Sequence, residues 1–154
     1  MLNTAIKAAR KAGSVMLQAS RKLDQITVES KGRNDLVSEV DRAVEAAIVE
    51  ILQEAYPKHS ILAEEGGRYQ SKGNDQAEYL WIIDPLDGTS NYLHGKPFYC
   101  TSIALQQEGK ITQAVVFEPE HNNLFTASRG GGAFLNDRRI RVSRQTQLLN
   151  SLIG

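Results

Sequence analysis

The chain has 154 residues, 41% of them hydrophobic and 23% charged, which fits a globular domain with an apolar core and excludes disordered and collagen-like classes. Lys plus Arg and Asp plus Glu number 18 each, so the net charge provides no long-range attraction to nucleic acid or to an anionic membrane. No apolar run approaches the ~20 residues of a membrane helix, and no signal-peptide block is seen. Cys100 is the single cysteine, so an internal disulfide is excluded and a reducing, cytoplasmic location without a membrane partner is expected.

Two amphipathic helices are predicted in the first third of the chain. Apolar residues recur every three or four positions over residues 2–23, and a second such stripe covers residues 40–55. The second helix is expected to start near Asp35 and to end before Pro57, because proline disfavours helical geometry in the residue before it. A short extended stretch over residues 26–31 separates the two helices.

The rest of the chain predicts strands. Residues 61–63 form a brief strand, after which Gly66-Gly67 opens a polar loop to about Glu78 that is a candidate mobile flap. A second apolar strand over residues 80–83 is expected to break at Asp84-Pro85. From residue 98 onward, turn signals recur at hairpin spacing. We therefore expect an α+β fold in which two N-terminal helices pack on a mostly antiparallel sheet.

Acidic residues follow both of the first two predicted strands. Glu64 and Glu65 follow the first, and Asp84 and Asp87 flank a proline turn after the second, which can aim both aspartates into one space. Carboxylates in one pocket repel one another unless a cation lies between them. Mg²⁺ prefers oxygen ligands of this kind, together with water and phosphate oxygens. The pattern predicts a magnesium site, with the backbone carbonyl of Leu86 as a further ligand.

The residues after Asp87 have the composition of a phosphate-binding turn. Gly88 lets the backbone approach a ligand closely, and the amides of Gly88, Thr89 and Ser90 are expected at a helix N-terminus, which favours anions. With carboxylates for metal and a hydroxyl for water, the segment predicts a phosphatase. Each part alone has a structural alternative, since an Asp-Gly pair is usually a simple turn. The combination favours the site.

Asp41 has two open interpretations. It sits beside Val40 and Val44 at the margin of the apolar stripe of the second helix, where an unpaired carboxylate is costly. It is either an outer ligand of the metal site or an exposed side chain.

Four segments resemble, in order and at similar spacing, the successive motifs of the inositol monophosphatase family. They are residues 35–41 (D-L-V-S-E-V-D), 62–65 (L-A-E-E), 81–91 (W-I-I-D-P-L-D-G-T-S-N) and 132–136 (G-A-F-L-N). The resemblance covers nearly the whole chain and is to the bacterial branch, which includes extragenic suppressor proteins. It implies a layered αβαβα sugar-phosphatase-like fold, of which residues 1–154 form the N-terminal half, with the C-terminal half absent.

The same resemblance implies a Mg²⁺-dependent, lithium-sensitive hydrolysis of a small phosphate monoester such as myo-inositol 1-phosphate. It implies two or three Mg²⁺ ions. The first would be held by Glu64, Asp84 and the carbonyl of Leu86, and the second by Asp84 and Asp87.

The resemblance also implies roles for the neighbouring residues. Glu64 and Thr89 would orient the attacking water and help to deprotonate it, and the Gly88 and Thr89 amides would stabilise charge on the phosphoryl oxygens. Three further residues match family positions around the site: Lys31, Asp41 and Glu65. Of these, Lys31 or Asp41 is also suited to a third metal.

The sequence departs from the family in one respect. Family members are longer, and a later W-D-x-A-A-G-like motif supplies another aspartate to the second metal and residues that contact the substrate. The 154 residues contain no such motif, so the chain matches the first metal site and part of the second, and truncation is expected. Substrate choice among inositol phosphates, fructose 1,6-bisphosphate and 3′-phosphoadenosine-type nucleotides stays open.

A second hypothesis makes the protein a binding factor that acts independently of catalysis. The bacterial suppressor branch is linked to transcription and processing of ribosomal RNA, which implies an RNA polymerase or RNA-processing partner. A basic stretch supports this reading and consists of Arg138, Arg139, Arg141 and Arg144. A charged solvent face explains the stretch as well, and no RRM, KH or OB signature is present.

The family resemblance also implies a homodimer.

Overall fold

Two long helices pack on an eight-stranded sheet in the computed structural model, which describes residues 1–32, 35–70, 78–149 and 151–152, with the backbone alone at residues 25, 29–32 and 35–37. The helices are α1 (Leu2–Ala19), α2 (Glu39–Ala55) and the short α3 (Thr89–Leu93), and a 3-10 helix covers Ser20–Gln25. The strands are β1 (Val28–Gly32), β2 (Asp35–Ser38), β3 (Ser60–Ala63), β4 (Gly67–Tyr69), β5 (Tyr79–Asp87), β6 (Cys100–Gln107), β7 (Lys110–Glu118), β8 (Asn123–Ser128), β9 (Gly132–Leu135) and β10 (Arg138–Ile140).

The large sheet is mixed but mostly antiparallel. Its strand order is β10-β9-β8-β7-β6-β5-β3-β4, and β1 and β2 form a separate hairpin. From β5 to β10 each strand pairs with the next along the chain, as the hairpin-spaced turns predicted. Among the described pairs of this sheet, β3 with β5 is parallel, and β4 folds back on β3 at the edge.

The core lies where α1 and α2 meet the sheet. The predicted stripe of α1 is buried largely through alanine, and small side chains let a helix approach its neighbours closely. The buried residues of this contact include Ala5, Ala8, Ala9, Ala12 and Met16 of α1, Val44, Ile48 and Leu52 of α2, and Trp81, Ile83, Ile103, Leu105 and Val115 of the sheet. The predicted α+β class, with two N-terminal helices on a mostly antiparallel sheet, is confirmed.

The predicted start of the second helix near Asp35 is wrong. Residues 35–38 form β2, and α2 begins at Glu39. The reason is a capping box: the Ser38 hydroxyl accepts a hydrogen bond from the amide of Val40, and the Asp41 side chain accepts one from the amide of Ser38. Such a cap satisfies amides that the first turn of a helix leaves free, so it fixes the start four residues later than expected.

Two predicted interruptions are also different in the structure. The polar loop after Gly66 begins with a short strand, Gly67–Tyr69, and residues 71–77 of the candidate flap lie outside the described residues. The strand expected to break at Asp84-Pro85 instead continues to Asp87. Proline is tolerated there because β3 pairs only as far as Ile83, and the pairing with β6 shifts register between Asp84 and Asp87.

No helix in the described part of the chain has the length and apolar character to cross a membrane.

Candidate functional site

The sheet register brings Glu64 level with Asp84. In the parallel pair of β3 and β5, Ala63 lies opposite Ile83, so the next residue of each chain segment emerges at the same edge. The Glu64 side chain lies close enough to the Asp84 carboxyl to raise the pKa of that carboxyl. Glu64 is exposed and Asp84 is half-buried, so the pair stands at the rim of the sheet, open to a ligand.

Asp84 carries the clearest electrostatic sign of a site. Its buried Oδ1 has no hydrogen-bond partner among the described residues. Burial, and then the negative charges of Glu64 and Asp87, raise the pKa of Asp84 to about 7, although the amide of Leu86 donates a hydrogen bond that lowers it. A carboxyl surrounded by carboxylates loses protons reluctantly unless a cation compensates the charge.

Asp87 is the most exposed of the predicted aspartates and borders β6. The thiol of Cys100 donates to Asp87 Oδ2 over 3.8 Å. Burial, and then the charges of Asp87 and Asp84, raise the pKa of the Cys100 thiol to about 11, so it stays protonated at neutral pH. The side chain therefore supplies a weak donor and no nucleophile.

Thr89 is held between two acceptors. Its Oγ1 lies 2.9 Å from Asp41 Oδ1 and 3.0 Å from the Leu86 carbonyl oxygen, so the hydroxyl donates toward both. Asp41 Oδ2 in turn accepts from the amide of Ser38 at 2.8 Å and from its hydroxyl at 2.5 Å. Because the hydroxyl proton of Thr89 is directed to these acceptors, its oxygen lone pairs remain available to accept a hydrogen bond from water.

The predicted alternative of an exposed Asp41 is wrong. Its side chain is only 2% exposed, because the capping box draws it against the N-terminus of α2 and the Thr89 hydroxyl covers its other oxygen. The carboxylate is close to the site but is fully engaged by donors of the protein.

Gly88 and α3 fix the position of Thr89. Gly88 has φ +89°, and a Cβ built there would lie 2.7 Å from the carbonyl oxygen of Phe98, so this turn admits no larger side chain. The short helix is tied to α1 by Tyr92, whose buried hydroxyl donates to the Met16 carbonyl at 2.8 Å. Ser90, the third predicted phosphate contact, is exposed beside them.

Sequence reasoning missed Glu45. Its carboxylate is 3% exposed and accepts hydrogen bonds from the amides of Glu65 (2.8 Å) and Gly66 (2.7 Å) and from the hydroxyl of Tyr69 (2.9 Å). The signal was present in the sequence, since Glu45 follows Asp41 by four residues and therefore shares its face of α2. A second acid on a face that is otherwise apolar indicates a buried partner.

The structure brings together most of the predicted site and leaves one residue open. Glu64, Asp84 and Asp87 interact electrostatically, and Thr89 joins the Leu86 carbonyl to Asp41. Glu65 is half-buried beside them and is bound through its amide to Glu45. The side chain of Lys31 lies outside the described residues.

The residues at the site have the donor chemistry of a hard divalent cation. Among the described side chains, no three His, Cys, Asp or Glu residues are already grouped as they would be around an ion. The available ligands are nevertheless all oxygens, and one of them, Asp84 Oδ1, is buried with no partner in the described part of the chain. An unpartnered carboxylate oxygen next to a second carboxylate fits the oxygen ligands that Mg²⁺ prefers.

Comparison with known proteins gives a consistent result. The model of the inositol monophosphatase family matches residues 1–154. The chain is 49% identical to Nus factor SuhB of Pseudomonas aeruginosa, over 100% of this chain and 56% of that protein. It is 46% identical to an inositol-1-monophosphatase of Rhizobium meliloti, over 100% of this chain and 57% of that protein. The structure of the extragenic suppressor protein suhB from Bartonella henselae matches with a TM-score of 0.89 and 43% identity, covering 93% of this chain and 54% of that chain.

The coverage is uneven in every one of these matches. The chain spans about half the length of the curated relatives that it matches. The site described above therefore lies within a segment that corresponds to about half of each longer protein.

Proposed function

This chain belongs to the inositol monophosphatase family, and we propose that it is part of a Mg²⁺-dependent phosphomonoesterase that hydrolyses myo-inositol 1-phosphate or a related small sugar phosphate. The single observation that carries this proposal is the buried Oδ1 of Asp84, which has no partner among the described residues and lies in a carboxyl group that adjoins Glu64. A carboxylate with a purely structural role is expected to accept hydrogen bonds at both oxygens, as that of Asp41 does.

Relatives support a metal at this site. A staphylococcal inositol monophosphatase, 30% identical over the match, was solved as a lithium inhibitory complex, and an IMPase/NADP phosphatase, 29% identical, was solved with NADP and Ca²⁺. In this chain, Glu64, Asp84 and the Leu86 carbonyl would hold one Mg²⁺, and Asp84 and Asp87 would hold a second. Bound there, Mg²⁺ would act as a Lewis acid toward the phosphate oxygens and would make water easier to deprotonate.

The side chains around the pair would prepare the attacking water. Thr89 keeps its own proton toward Asp41, so its oxygen can accept a hydrogen bond from water and orient it. Glu64, which is exposed at the rim, is placed to take up the proton that water loses. Asp41 acts through Thr89, because its second oxygen is already bound by Ser38.

The turn after Asp87 would hold the phosphate group. The amides of Gly88, Thr89 and Ser90 belong to the N-cap and first turn of α3, and in this role they would stabilise the charge on the phosphoryl oxygens. Glu65 and Lys31 would lie around the site, with Lys31 or Asp41 near a third ion. A dimeric, cytoplasmic enzyme is part of this proposal, as the family resemblance suggests.

The test is phosphate release from myo-inositol 1-phosphate by the purified protein, with Mg²⁺ varied and with lithium added. The proposal expects release that needs Mg²⁺ and falls with lithium, together with slower release from fructose 1,6-bisphosphate and 3′-phosphoadenosine-type nucleotides. Absence of release at every Mg²⁺ concentration would contradict the enzymatic proposal.

A second candidate function rests on the names of relatives. The protein from Pseudomonas aeruginosa is a Nus factor, which suggests an RNA polymerase or RNA-processing partner that is independent of catalysis. Four exposed arginines in and after the last strand would supply a basic surface for it: Arg138, Arg139, Arg141 and Arg144. If this is the function in the cell, substitution of Asp84 and Asp87 by asparagine should leave it intact, whereas an enzymatic role should be lost.

A further inference from the structure

The turn that contains Glu64 is hydrogen-bonded to one buried acid, Glu45. Residues 64–66 connect β3 to β4, so Glu64 belongs to a turn and not to the sheet ladder. The Glu45 carboxylate reaches this turn from α2, and each of its oxygens accepts a backbone amide: Oε2 from Glu65 at 2.8 Å and Oε1 from Gly66 at 2.7 Å. Hydrogen bonds to a carboxylate are stronger than those between neutral groups, so the turn is anchored on both sides of the Glu65 peptide.

The contact is also tightly packed. Tyr69 adds its hydroxyl to Glu45 Oε1 at 2.9 Å. A Cβ built on Gly66 would lie 2.1 Å from the Tyr69 hydroxyl oxygen and 2.5 Å from Glu45 Oε1. Because both close atoms belong to this contact, any side chain at Gly66 must displace the Tyr69 hydroxyl and the Glu45 carboxylate, or shift the turn.

One helix therefore sets the position of two proposed active-site residues. Asp41 holds Thr89 by one hydrogen bond, and Glu45, one helical turn later, holds the peptide that follows Glu64. Both acids are buried, at 2% and 3% exposure, and they are the charged members of the otherwise apolar face of α2. The spacing of four residues places them about 6 Å apart along the helix, so α2 sets the separation between the two residues that they hold.

We infer that Glu45 is a positioning residue, which holds the turn of Glu64 so that the Glu64 carboxylate lies against Asp84 and the pair can share a cation. This inference rests on the proposed function, because it assigns Glu45 a part in the Mg²⁺ site. Glu45 itself would touch neither ion nor substrate, because its carboxylate is occupied by the two turn amides and the Tyr69 hydroxyl. Groups that orient metal ligands typically change metal affinity by about 10–100-fold when they are substituted.

The decisive variant is Glu45→Gln. The amide keeps the size of the side chain, but its NH₂ group must face one of the amide donors of the turn, so at least one anchoring bond is lost. We expect Mg²⁺ affinity, measured by calorimetric titration of the metal-free protein, to fall about 10-fold or more. The kcat for phosphate release should fall with it, while the KM for substrate changes little. Glu50→Gln, an exposed acid on the same helix, is the matched control and should behave as wild type.

Two further variants separate positioning from folding. Tyr69→Phe removes the hydroxyl but leaves both turn amides bound, and it should weaken Mg²⁺ binding less than Glu45→Gln. Gly66→Ala keeps the Glu45 side chain but forces its carboxylate and the turn apart, and it should weaken Mg²⁺ binding as much as Glu45→Gln. It also keeps the inference testable if Glu45→Gln does not fold.

The outcomes are distinct. If the wild-type protein neither binds Mg²⁺ nor releases phosphate, the proposed function fails and this inference fails with it. If the wild type does both, and Glu45→Gln or Gly66→Ala lowers the melting temperature without changing Mg²⁺ affinity, Glu45 is only a structural acid and the inference alone is overturned. Weakened Mg²⁺ binding in both variants, with wild-type binding in Glu50→Gln, supports it.

Discussion

Asp41 and Asp84 lie close together, because Thr89 donates both to Asp41 and to the carbonyl of Leu86, two residues after Asp84. Their carboxylates nevertheless have opposite surroundings. Asp41 is 2% exposed and receives hydrogen bonds from a serine amide, a serine hydroxyl and a threonine hydroxyl. Asp84 faces two other acids, and its buried Oδ1 has no partner in the described part of the chain. The carboxylate of Asp41 thus has donors at both oxygens, whereas that of Asp84 receives the Leu86 amide but has no donor at Oδ1 among the described residues.

The difference separates two tasks. A buried acid with all its lone pairs occupied is fixed in position, and it can fix its donors in turn, as Asp41 fixes Thr89 and Glu45 fixes the turn after Glu64. A buried acid among acids raises the free energy of the empty site and favours any cation that enters it. The contrast supports the proposal that Asp84 is a metal ligand and that Asp41 holds Thr89 in position.

Asp84→Asn should have the largest effect. The amide keeps the shape of the side chain but removes the charge that would hold Mg²⁺, so phosphate release should fall by roughly 10³-fold. The rate is measured at saturating Mg²⁺, and thermal melting checks that the fold is retained. A variant that keeps more than about a tenth of the wild-type rate would place the metal site elsewhere.

Asp41→Asn should lower both activity and stability. Its NH₂ group must face a donor, either Ser38 or Thr89, which should destabilise the fold by about 1–3 kcal/mol and lower kcat by about 10–100-fold through the misplaced Thr89. Urea unfolding and steady-state rates measure the two effects.

Ser38→Ala is the matched control for this variant. It removes the cap hydroxyl, at a cost of about 1 kcal/mol, but leaves the bond between Thr89 and Asp41. If Ser38→Ala lowers kcat as much as Asp41→Asn does, the Thr89 contact is not what matters.

The metal-free protein should lose stability as the pH rises. The folded-state pKa of Asp84 is about 7, against an ordinary value of 3.8, so between these values the folded state binds more protons than the unfolded state. The contribution of Asp84 to stability is therefore fully present below about pH 3.8 and is lost as the pH rises through about 7. Chemical denaturation across this window checks the sign, and Asp84→Asn should flatten the profile. An equal slope in the variant would show that another group is responsible.

Thr101→Val should have the smallest effect. The hydroxyl of this fully buried residue donates to the backbone carbonyl of Asp84 at 3.2 Å and does not touch its carboxyl group. We expect a loss of about 1 kcal/mol in unfolding free energy and an unchanged pH profile, both measured by urea unfolding. A shifted profile would mean that backbone placement, and not the neighbouring acids, sets the behaviour of Asp84.

Local patterns predicted the elements well wherever one force dominated. The periodic stripe of α1 and the hairpin-spaced turns after residue 98 specified a helix and an antiparallel meander, because burial and turn geometry point the same way there. The start of α2 was misplaced because its periodicity does not reveal which residue caps it. The strand was predicted to end at Asp84-Pro85 because the sequence does not show where β3 stops pairing with it. Proline is tolerated there only because that pairing ends at Ile83.

The candidate site was predicted as residue types but not as geometry. The acids after β3 and β5 could be read from the chain, whereas their alignment comes from the parallel register of Ala63 with Ile83. The burial of Asp41 and the contacts of Glu45 were not predicted, since they depend on a helix cap and on donors 20 or more residues away along the chain.

The most direct test of the central claim is a calorimetric titration of Mg²⁺ into the metal-free protein at pH 8, where Asp84 is largely ionised. We expect Mg²⁺ binding by the wild type and by Ser38→Ala, and at least a 10-fold weaker affinity in Asp84→Asn, because a ligand charge is lost. Equal affinity in the wild type and in Asp84→Asn would contradict that claim, because the unpartnered oxygen of Asp84 would then not be a metal ligand.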